Sequence, residues 1–370
     1  MQDGMEREDR EGAMGVTVLS FIIVMGIVVF VHELGHFLAA KRNGIVVEEF
    51  GFGFPPRLFK LFERNGTIYS INIIPFGGFV RMRGEDDPSL PGSFASASKL
   101  ARATTLLAGS TMNFLLAIVL FTAVIMLAGI PNVLTTTTVK EIMADTPAAQ
   151  AGMQPGDRIV GAGDVSFAAV EDLRKHTEAH RGQPVAYRVA RGDQTLTLTM
   201  TPRIEVPTNQ GPLGVVLDYQ ITYRAAALPE ATWTAVRTTG AVIWMTLQIP
   251  ATLIRERRPI GDAGLLGPVG IAAVTGDVVR SARTVDPILQ LVAALSVALG
   301  FTNLLPIPAF DGGRLLFVLV EAIRRKRIEP AREGLVHLIG FGFALLLLGV
   351  VTVREIGQLL TNTFPYSGLR

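Results

Sequence analysis

Cysteine is absent from this chain of 370 residues, and charge is scarce. Without cysteine there are no disulfides, thiolate metal ligands or thiol nucleophiles, so a bound metal must use histidine, aspartate or glutamate. Only 18% of the residues are charged and the net charge is +2, a balance that does not indicate nucleic-acid binding. Hydrophobic residues make up 49% and the mean hydropathy is +0.40, which argues against a soluble enzyme and indicates a membrane protein.

Four apolar segments are long enough to cross a bilayer about 30 Å thick, which takes about 20 helical residues. Glu33 is the charged residue of the first, and the fourth carries His337 near its start. The four segments cover residues 15–40, 105–130, 287–310 and 335–353. The sequence therefore predicts a polytopic α-helical membrane protein.

A fifth apolar stretch, residues 238–254, is shorter, contains Pro250 and has an arginine at each end. A short span is one interpretation, but we favour a helix that lies on the membrane surface. Basic residues at 41–42 and 324–327 mark the cytoplasmic side of the first and third spans. Both termini and the region between the second and third spans are then expected outside the cytoplasm.

The first span contains a motif typical of metal sites, His32-Glu33-Leu34-Gly35-His36. On a helix the two histidines lie one turn apart on the same face, so both imidazoles can bind one metal ion, with Glu33 beside them as a proton carrier. Two histidines that are merely satisfied within a helix are the alternative. An ionisable side chain at bilayer depth costs about 2.5 to 3.5 kcal/mol, so we interpret the motif as a zinc hydrolase site in a membrane.

A catalytic zinc ion commonly has three protein ligands and one open position, so a further ligand is expected. Residues 303–314 read Asn-Leu-Leu-Pro-Ile-Pro-Ala-Phe-Asp-Gly-Gly-Arg at the end of the third span. The two prolines break the helix and the two glycines let the backbone approach closely, so Asp311 can point back at the first helix. Irregular backbone at this depth is tolerated where protein or water satisfies it, as in an active-site cavity.

Residues 67–83 alternate as a strand, turn at Gly77 and Gly78, and return. We expect a membrane-associated β-hairpin between the first two spans, with Ile71 and Ile73 on a free edge that pairs with an unwound substrate strand. Gly77 and Gly78 in its turn are expected to take part in the same substrate binding. Asn303 is expected to contact the same substrate backbone. For Asn113, substrate contact and satisfaction of the neighbouring helix remain equally open.

Between the second and third spans, residues 138–202 read strand, turn, strand, helix, strand, strand, with the helix at 170–179. The Pro-Gly-Asp-Arg-Ile turn at 155–159 makes this stretch resemble a bacterial PDZ domain, a module that binds an extended peptide at a sheet edge. A plain β domain acting as a lid or spacer is the alternative. His176 and His180 are interpreted as surface histidines.

The expected organisation has six parts. They are a dispensable leader at 1–14, the first half of the membrane core at 15–135, a PDZ domain at 136–203, an amphipathic and gate region at 204–285, the second half of the core at 286–356 and a tail at 357–370. Within the fourth part, a glycine- and proline-rich segment at 266–272 is expected to form a loop or re-entrant turn of a gate.

In this order, the motifs resemble those of the bacterial site-2 proteases, intramembrane zinc metalloproteases that cut transmembrane segments of signalling proteins. The resemblance covers the chain from about Met14 to the fourth span. It implies a Zn²⁺ ion bound by His32, His36 and Asp311, with Glu33 as the general base.

The second span supports the same resemblance, because residues 109–113 match the Gly-xxx-Asn motif of that family. Many members have proline at the position of Ser110 and leucine at that of Phe310, and some carry two PDZ domains where this chain shows one. The resemblance implies substrates that are single-span membrane proteins, such as anti-sigma factors or signal-peptide remnants, trimmed beforehand by another protease. It also implies a place in the bacterial inner membrane and a role in regulated intramembrane proteolysis.

The sequence leaves two functions from other classes open. A non-catalytic PDZ membrane scaffold would not need the histidine motif or Asp311. A metal or ion transporter normally has internally repeated spans, and the sequence shows no such repeat.

Overall fold

The computed structural model describes residues 2–85, 87–167, 170–207, 210–256 and 266–361. The chain divides into two compact units, one formed by Met1–Leu127 with Ala227–Arg370 and the other by Ala128–Ala226. We call them the membrane unit and the β-domain.

Helices and strands are numbered in chain order. They are α1 Gln2–Arg42, β1 Val47–Arg64, β2 Thr67–Met82, α2 Lys99–Ala128, β3 Ile130–Ile142, α3 Pro147–Gln150, β4 Arg158–Ala162, β5 Val165–Ser166, α4 Val170–Ala179, β6 Val185–Arg191, β7 Gln194–Met200, β8 Val215–Arg224, α5 Leu228–Glu256, α6 Pro268–Ser281, α7 Asp286–Leu304, α8 Asp311–Arg324 and α9 Pro330–Leu360.

Four of the described helices, α1, α2, α7 and α9, are long and apolar enough to cross a membrane. They correspond to the four predicted spans. α5 is not among them, although it continues through Pro250 to Glu256. Small residues at every fourth position of α5, Ala231, Ala235 and Thr239, are buried, whereas Trp233 and Trp244 are exposed.

Two predicted boundaries within the membrane unit need correction, and the predicted leader is continuous with the first span. α2 ends at Ala128, before Pro131, because Gly129 takes a positive φ of 87° that stops a helix. α7 ends at Leu304 instead of continuing to residue 310, since two prolines follow. The predicted leader, as far as it is described, belongs to the same helix as the first span, because α1 begins at Gln2.

The predicted loop at 266–272 is also wrong for most of its length, because α6 begins at Pro268. Proline is favoured in the first turn of a helix. The buried Glu355 carboxylate of α9 accepts hydrogen bonds from the backbone N–H groups of Gly267 at 2.6 Å and Gly270 at 3.0 Å. This carboxylate satisfies free donors at the start of α6 and fastens it to α9.

β1 and β2 form a sheet of four segments, because β1 pairs with both halves of β2. In the register, Ile71 faces Phe52 on one side and Phe59 on the other, and Phe52 also faces Gly78. The order across the sheet is therefore 57–64, 67–74, 47–54 and 78–82. The prediction that Ile71 and Ile73 lie on a free edge is wrong, since both lie in the interior segment 67–74. The edges are 57–64 and 78–82.

Close contacts hold α1, α2 and α8 together in the membrane unit. A Cβ atom on Gly35 of α1 would lie 2.4 Å from the carbonyl oxygen of Ala108 in α2, so glycine permits this approach. Arg102 of α2 and Glu321 of α8 form a buried ion pair. The Glu321 carboxylate also accepts a hydrogen bond from the backbone N–H of Ile328 at 3.2 Å.

The β-domain is built on an antiparallel sheet in the order β7-β6-β4-β3-β8, with β5 paired to β4. Alternate residues of β6, Val185, Tyr187 and Val189, point into its core. α4 spans the residues that the sequence predicts. The sheet continues past the predicted domain end at 203, because β8 pairs with β3.

Candidate metal centre and active site

Three side chains of the membrane unit converge on one point. The Nε2 atoms of His32 and His36 lie 3.1 Å apart, and each is 3.1 Å from Oδ2 of Asp311. Both histidines are buried, and the Asp311 side chain is 20% exposed. The structure thus brings together the three metal ligands that the sequence predicts, from α1 and from the start of α8.

The spacing of these three atoms fits zinc. Ligand atoms at about 2.0 to 2.1 Å in a tetrahedral zinc site stand about 3.3 Å from one another. Two imidazole nitrogens and a carboxylate oxygen are ligands that zinc accepts, and they leave one position open. Among the described residues these three form the one group of histidine, aspartate and glutamate side chains arranged in this way.

One face of α2 holds the two imidazoles in place. The Nδ1–H of His36 donates to the backbone carbonyl of Thr105 at 2.8 Å. One turn later, a Cβ atom on Gly109 would lie 2.4 Å from His36 Nε2 and 2.8 Å from His32 Cε1. Glycine at position 109 therefore leaves the space that the imidazoles occupy.

Asn113, one further turn along α2, is fully buried, with its amide 3.3 Å from Nδ1 of His32. Among the described residues, nothing donates to its Oδ1 atom. Rotating the amide by half a turn exchanges its oxygen and nitrogen, so Oδ1 can accept from the Nδ1–H that an imidazole bound through Nε2 must carry. This environment fits a metal-bound His32. It also removes the substrate contact considered for Asn113, which lies behind the imidazole and does not line the cavity.

The turn before α8 directs Asp311 at the histidines. Asp311 is the first residue of α8, after a non-helical segment that begins at Leu305. Cβ atoms on Gly312 and Gly313 would lie 2.3 Å from the Leu305 carbonyl oxygen and 2.5 Å from that of Ile307. The two glycines therefore permit the close backbone approach that the sequence predicts.

Glu33 lies between the histidines and the edge segment 78–82 of the sheet. Val80 of this segment and Glu33 line the same cavity. A Cβ atom added to Gly77 would lie 2.5 Å from the Val29 side chain, and one added to Gly78 would lie 3.5 Å from the Glu33 side chain. The two predicted glycines therefore press the sheet against α1 beside Glu33.

A cavity of about 390 Å³ opens in front of these groups. The Asn303 side chain lines it and donates to the Leu299 carbonyl of its own helix at 3.1 Å, so its expected substrate contact stays a prediction. Arg314 lines it too and pairs with Glu85 at 2.6 Å. The remaining lining residues are mostly apolar, and they include Val29, Phe54, Val80, Met82, Phe94 and Phe310.

The structure also places site residues that the sequence did not reveal. Thr105 binds His36 through its backbone carbonyl, so the identity of its side chain does not reveal this role in the sequence. His337 of α9 touches the turn before Asp311, and only its position as a histidine inside an apolar span marks it. In the β-domain, His176 and His180 stack with ring centroids 4.2 Å apart, and burial lowers the pKa of His176 below its ordinary value.

Comparison with known proteins agrees with this arrangement. The sequence profile of Peptidase family M50 matches residues 20–347. The zinc metalloprotease RasP of Geobacillus kaustophilus is 30% identical over 92% of this chain and 97% of its own length. A putative zinc metalloprotease of Agrobacterium fabrum is 31% identical over 93% and 96%. The probable protease Eep of Enterococcus faecalis is 29% identical over 92% and 98%.

Among solved structures, the PDZ domain of an SdrC-like protein from Listeria monocytogenes is similar over 22% of this chain and 87% of that domain, with 18% sequence identity and a TM-score of 0.20.

Proposed function

Because the chain belongs to Peptidase family M50, the site-2 proteases, and is a zinc metalloprotease of a bacterial membrane, we propose that it hydrolyses peptide bonds inside the transmembrane segments of single-span membrane proteins. The observation that carries this proposal is the triangle formed by His32, His36 and Asp311, which lies among helices long enough to cross a membrane. A water-dependent reaction at such a position requires a cavity that admits water to the polar groups, and a cavity of about 390 Å³ opens in front of this triangle.

In this proposal His32, His36 and Asp311 hold the zinc ion, and Glu33 is the general base. When bound, zinc acidifies a water molecule and polarises the scissile carbonyl group. Glu33 takes a proton from the attacking water and gives it to the leaving amine. Thr105 and Asn113 keep the Nε2 atoms of both imidazoles facing the metal.

A substrate helix must unwind before its peptide bonds can be attacked, and an exposed sheet edge can hold the extended chain. We place the substrate strand along the edge segment 78–82, because Val80 and Met82 line the cavity that contains Glu33. The interior position of Ile71 removes it from this role. Asn303, which also lines this cavity, is proposed to contact the same extended backbone.

The β-domain is proposed to be a PDZ domain that binds a chain terminus of trimmed substrates. β8 is an edge strand of its sheet, and a groove of about 220 Å³ runs between this strand and α4. Its lining includes Leu173 and Thr177 of α4 and Val215 and Leu217 of β8. An edge strand beside an apolar groove suits an extended peptide.

The basic loops support a sidedness in which the β-domain and both termini are extracytoplasmic. Together with the proposed preference for trimmed substrates, this sidedness supports a role in regulated intramembrane proteolysis. Anti-sigma factors and signal-peptide remnants have the required single-span form. A non-catalytic scaffold is not supported, because it has no use for a buried triangle of metal ligands.

The test compares the wild type with Glu33→Gln on single-span proteins in proteoliposomes. The variant should keep one zinc ion per chain and lose cleavage by at least about 100-fold, the usual contribution of a general base. Glu63→Gln makes the same chemical change at the opposite edge of the sheet, outside the cavity, and should leave cleavage unchanged. Near-normal cleavage by purified Glu33→Gln would overturn the proposed mechanism.

A further inference from the structure

His337 of α9 contacts the turn that precedes Asp311. The backbone N–H of Ala309 donates to Nδ1 of His337 at 3.1 Å. The imidazole ring packs beside Phe317 of α8, with ring centroids 5.4 Å apart. Nearby on α9, a Cβ atom on Gly340 would lie 2.3 Å from Cβ of Pro308, so glycine lets α9 approach the turn. The fourth span therefore supports the backbone segment that carries a predicted metal ligand.

This turn needs outside support because of its backbone conformation. The N–H of Phe310 donates to the carbonyl of Ile307 at 3.2 Å, with Pro308 and Ala309 at the two central positions. Ala309 has a φ of 88°, the left-handed value that a type II turn requires at its second central residue. Glycine is the usual residue there, because a Cβ atom disfavours this conformation. The turn therefore has an alanine at a position that favours glycine, and a contact from outside the turn is needed to stabilise this conformation.

The direction of Asp311 depends on the same turn. Phe310 is the N-cap of α8 and Asp311 is its first residue, so a change at Ala309 rotates the start of α8 relative to α1. Asp311 Oδ2 must stay 3.1 Å from the nitrogens of both His32 and His36, which tolerates little rotation. A neutral imidazole whose Nδ1 accepts from Ala309 fixes that direction.

We propose that His337 is a positioning residue for the metal centre, which holds the turn at Ala309 in its left-handed conformation and so aims Asp311 at the two histidines. This inference depends on the proposed role of Asp311 as a zinc ligand. His337 itself is placed outside the ligand set, and it acts through the backbone of Ala309.

The experiment measures zinc retention by the purified full chain against a competing chelator, alongside cleavage. His337→Leu removes the acceptor and should weaken zinc retention about 10- to 100-fold, the usual effect of losing a partner that orients a ligand. His337→Gln offers an amide oxygen as a replacement acceptor and should retain zinc better than the leucine variant. Ala309→Gly removes the backbone strain, so Ala309→Gly combined with His337→Leu should recover most of the retention.

A purely structural role for His337 would not give this pattern of rescue, because a glycine at position 309 adds no packing to α9. Equal zinc retention by His337→Leu and the wild type would overturn the proposal. So would folded glutamine and double variants that both lose zinc as readily as His337→Leu. Asp311→Asn separates the two levels: if that variant keeps zinc, the proposed metal site itself fails, whereas its loss of zinc leaves the His337 result to decide the positioning role.

Discussion

The Nδ1–H of His36 donates to the backbone carbonyl of Thr105 across the interface between α1 and α2. This hydrogen bond fixes the tautomer in which Nε2 of His36 carries its lone pair toward Asp311 and His32. Because a carbonyl oxygen can only accept, the bond holds whether or not a metal is bound. The second span therefore helps to hold the proposed metal centre, although none of the three predicted ligands lies on it.

Gly109 should be as important to zinc binding as a residue that orients a ligand. Gly109→Ala places a Cβ atom 2.4 Å from His36 Nε2, and a buried imidazole has no room to retreat. We expect zinc retention and cleavage to fall by about 10-fold or more. Gly349→Ala is the matched control, because the same change in α9 meets open space. Normal zinc content in Gly109→Ala would contradict the packing argument.

The edge segment 78–82 should lie beside the bound substrate. Because the chain has no cysteine, Phe79→Cys provides a single thiol. Residues on neighbouring strands lie within disulfide range, so Phe79→Cys should form a disulfide with a cysteine in an unwound substrate segment. Position 80 is avoided, since a thiolate in the cavity would compete as a zinc ligand.

Phe59→Cys, at the opposite edge of the same sheet, is the control for this crosslinking and should capture far less substrate. Equal capture from both edges would show random collision and remove strand addition from the mechanism. A substrate with a helix-breaking residue near its cleavage site should crosslink faster, because less helix must unwind.

Asp157 should make the stability of the β-domain depend on acid pH. Its carboxylate accepts from Arg191 at 2.7 and 2.8 Å and from the backbone N–H of Gln154 at 2.8 Å, and the Arg191 guanidinium holds the pKa of Asp157 below its ordinary value. The lowered pKa means that this stabilisation is present above the unfolded value of about 3.9 and is lost as pH falls through the folded value. Amide exchange of β6 in the full chain, measured from pH 6 downward, should report it.

Asp157→Asn is the comparison for that pH series. At pH 6 the variant should exchange faster than the wild type in β6, and the difference should shrink as the wild-type carboxyl is protonated. A difference that stays constant to the lowest pH would assign the effect to lost packing and not to the Asp157 charge.

The convergence of the three proposed metal ligands could be predicted from sequence because the patterns that mark them are local. Two histidines four residues apart share a helix face, and a proline- and glycine-rich turn marks Asp311. The four spans were predictable from hydropathy, and α4 from its flanking turns. The exact ends of these helices were harder to predict. α7 ends at Leu304, before two prolines, although the apolar run continues for several more residues.

The sheet order of β1 and β2 could not be read from alternation. The strand around Ile71 alternates in the same way whether it has one neighbour or two, so period alone does not identify an edge. The role of Asn113 could not be predicted from sequence either. Only the packing of α2 on α1 shows that its amide lies beside His32 instead of in the cavity. The support that His337 gives to Ala309 joins residues 28 positions apart and has no local pattern.

The last prediction concerns the β-domain, which we propose restricts cleavage to trimmed substrates. The structure defines the deletion. Removing only 138–202 would cut β3 after Thr137 and leave residues 215–218 of β8 without their partners, whereas residues 129–226 form the complete unit beyond α2. Ile130 and Arg224 are register partners, so a short linker can join Ala128 to Ala227.

The protein lacking 129–226 should keep zinc and cut single-span substrates that still carry their extracytoplasmic domains, which the full chain leaves intact. This is because every residue assigned to the metal centre and its cavity lies in the membrane unit. Glu33→Gln in the shortened protein is the control that assigns the new cleavage to the same site. If the shortened protein binds zinc but cuts nothing, the β-domain takes part in catalysis. If it still cuts only trimmed substrates, selection for trimming resides in the membrane unit, and the filter hypothesis is wrong.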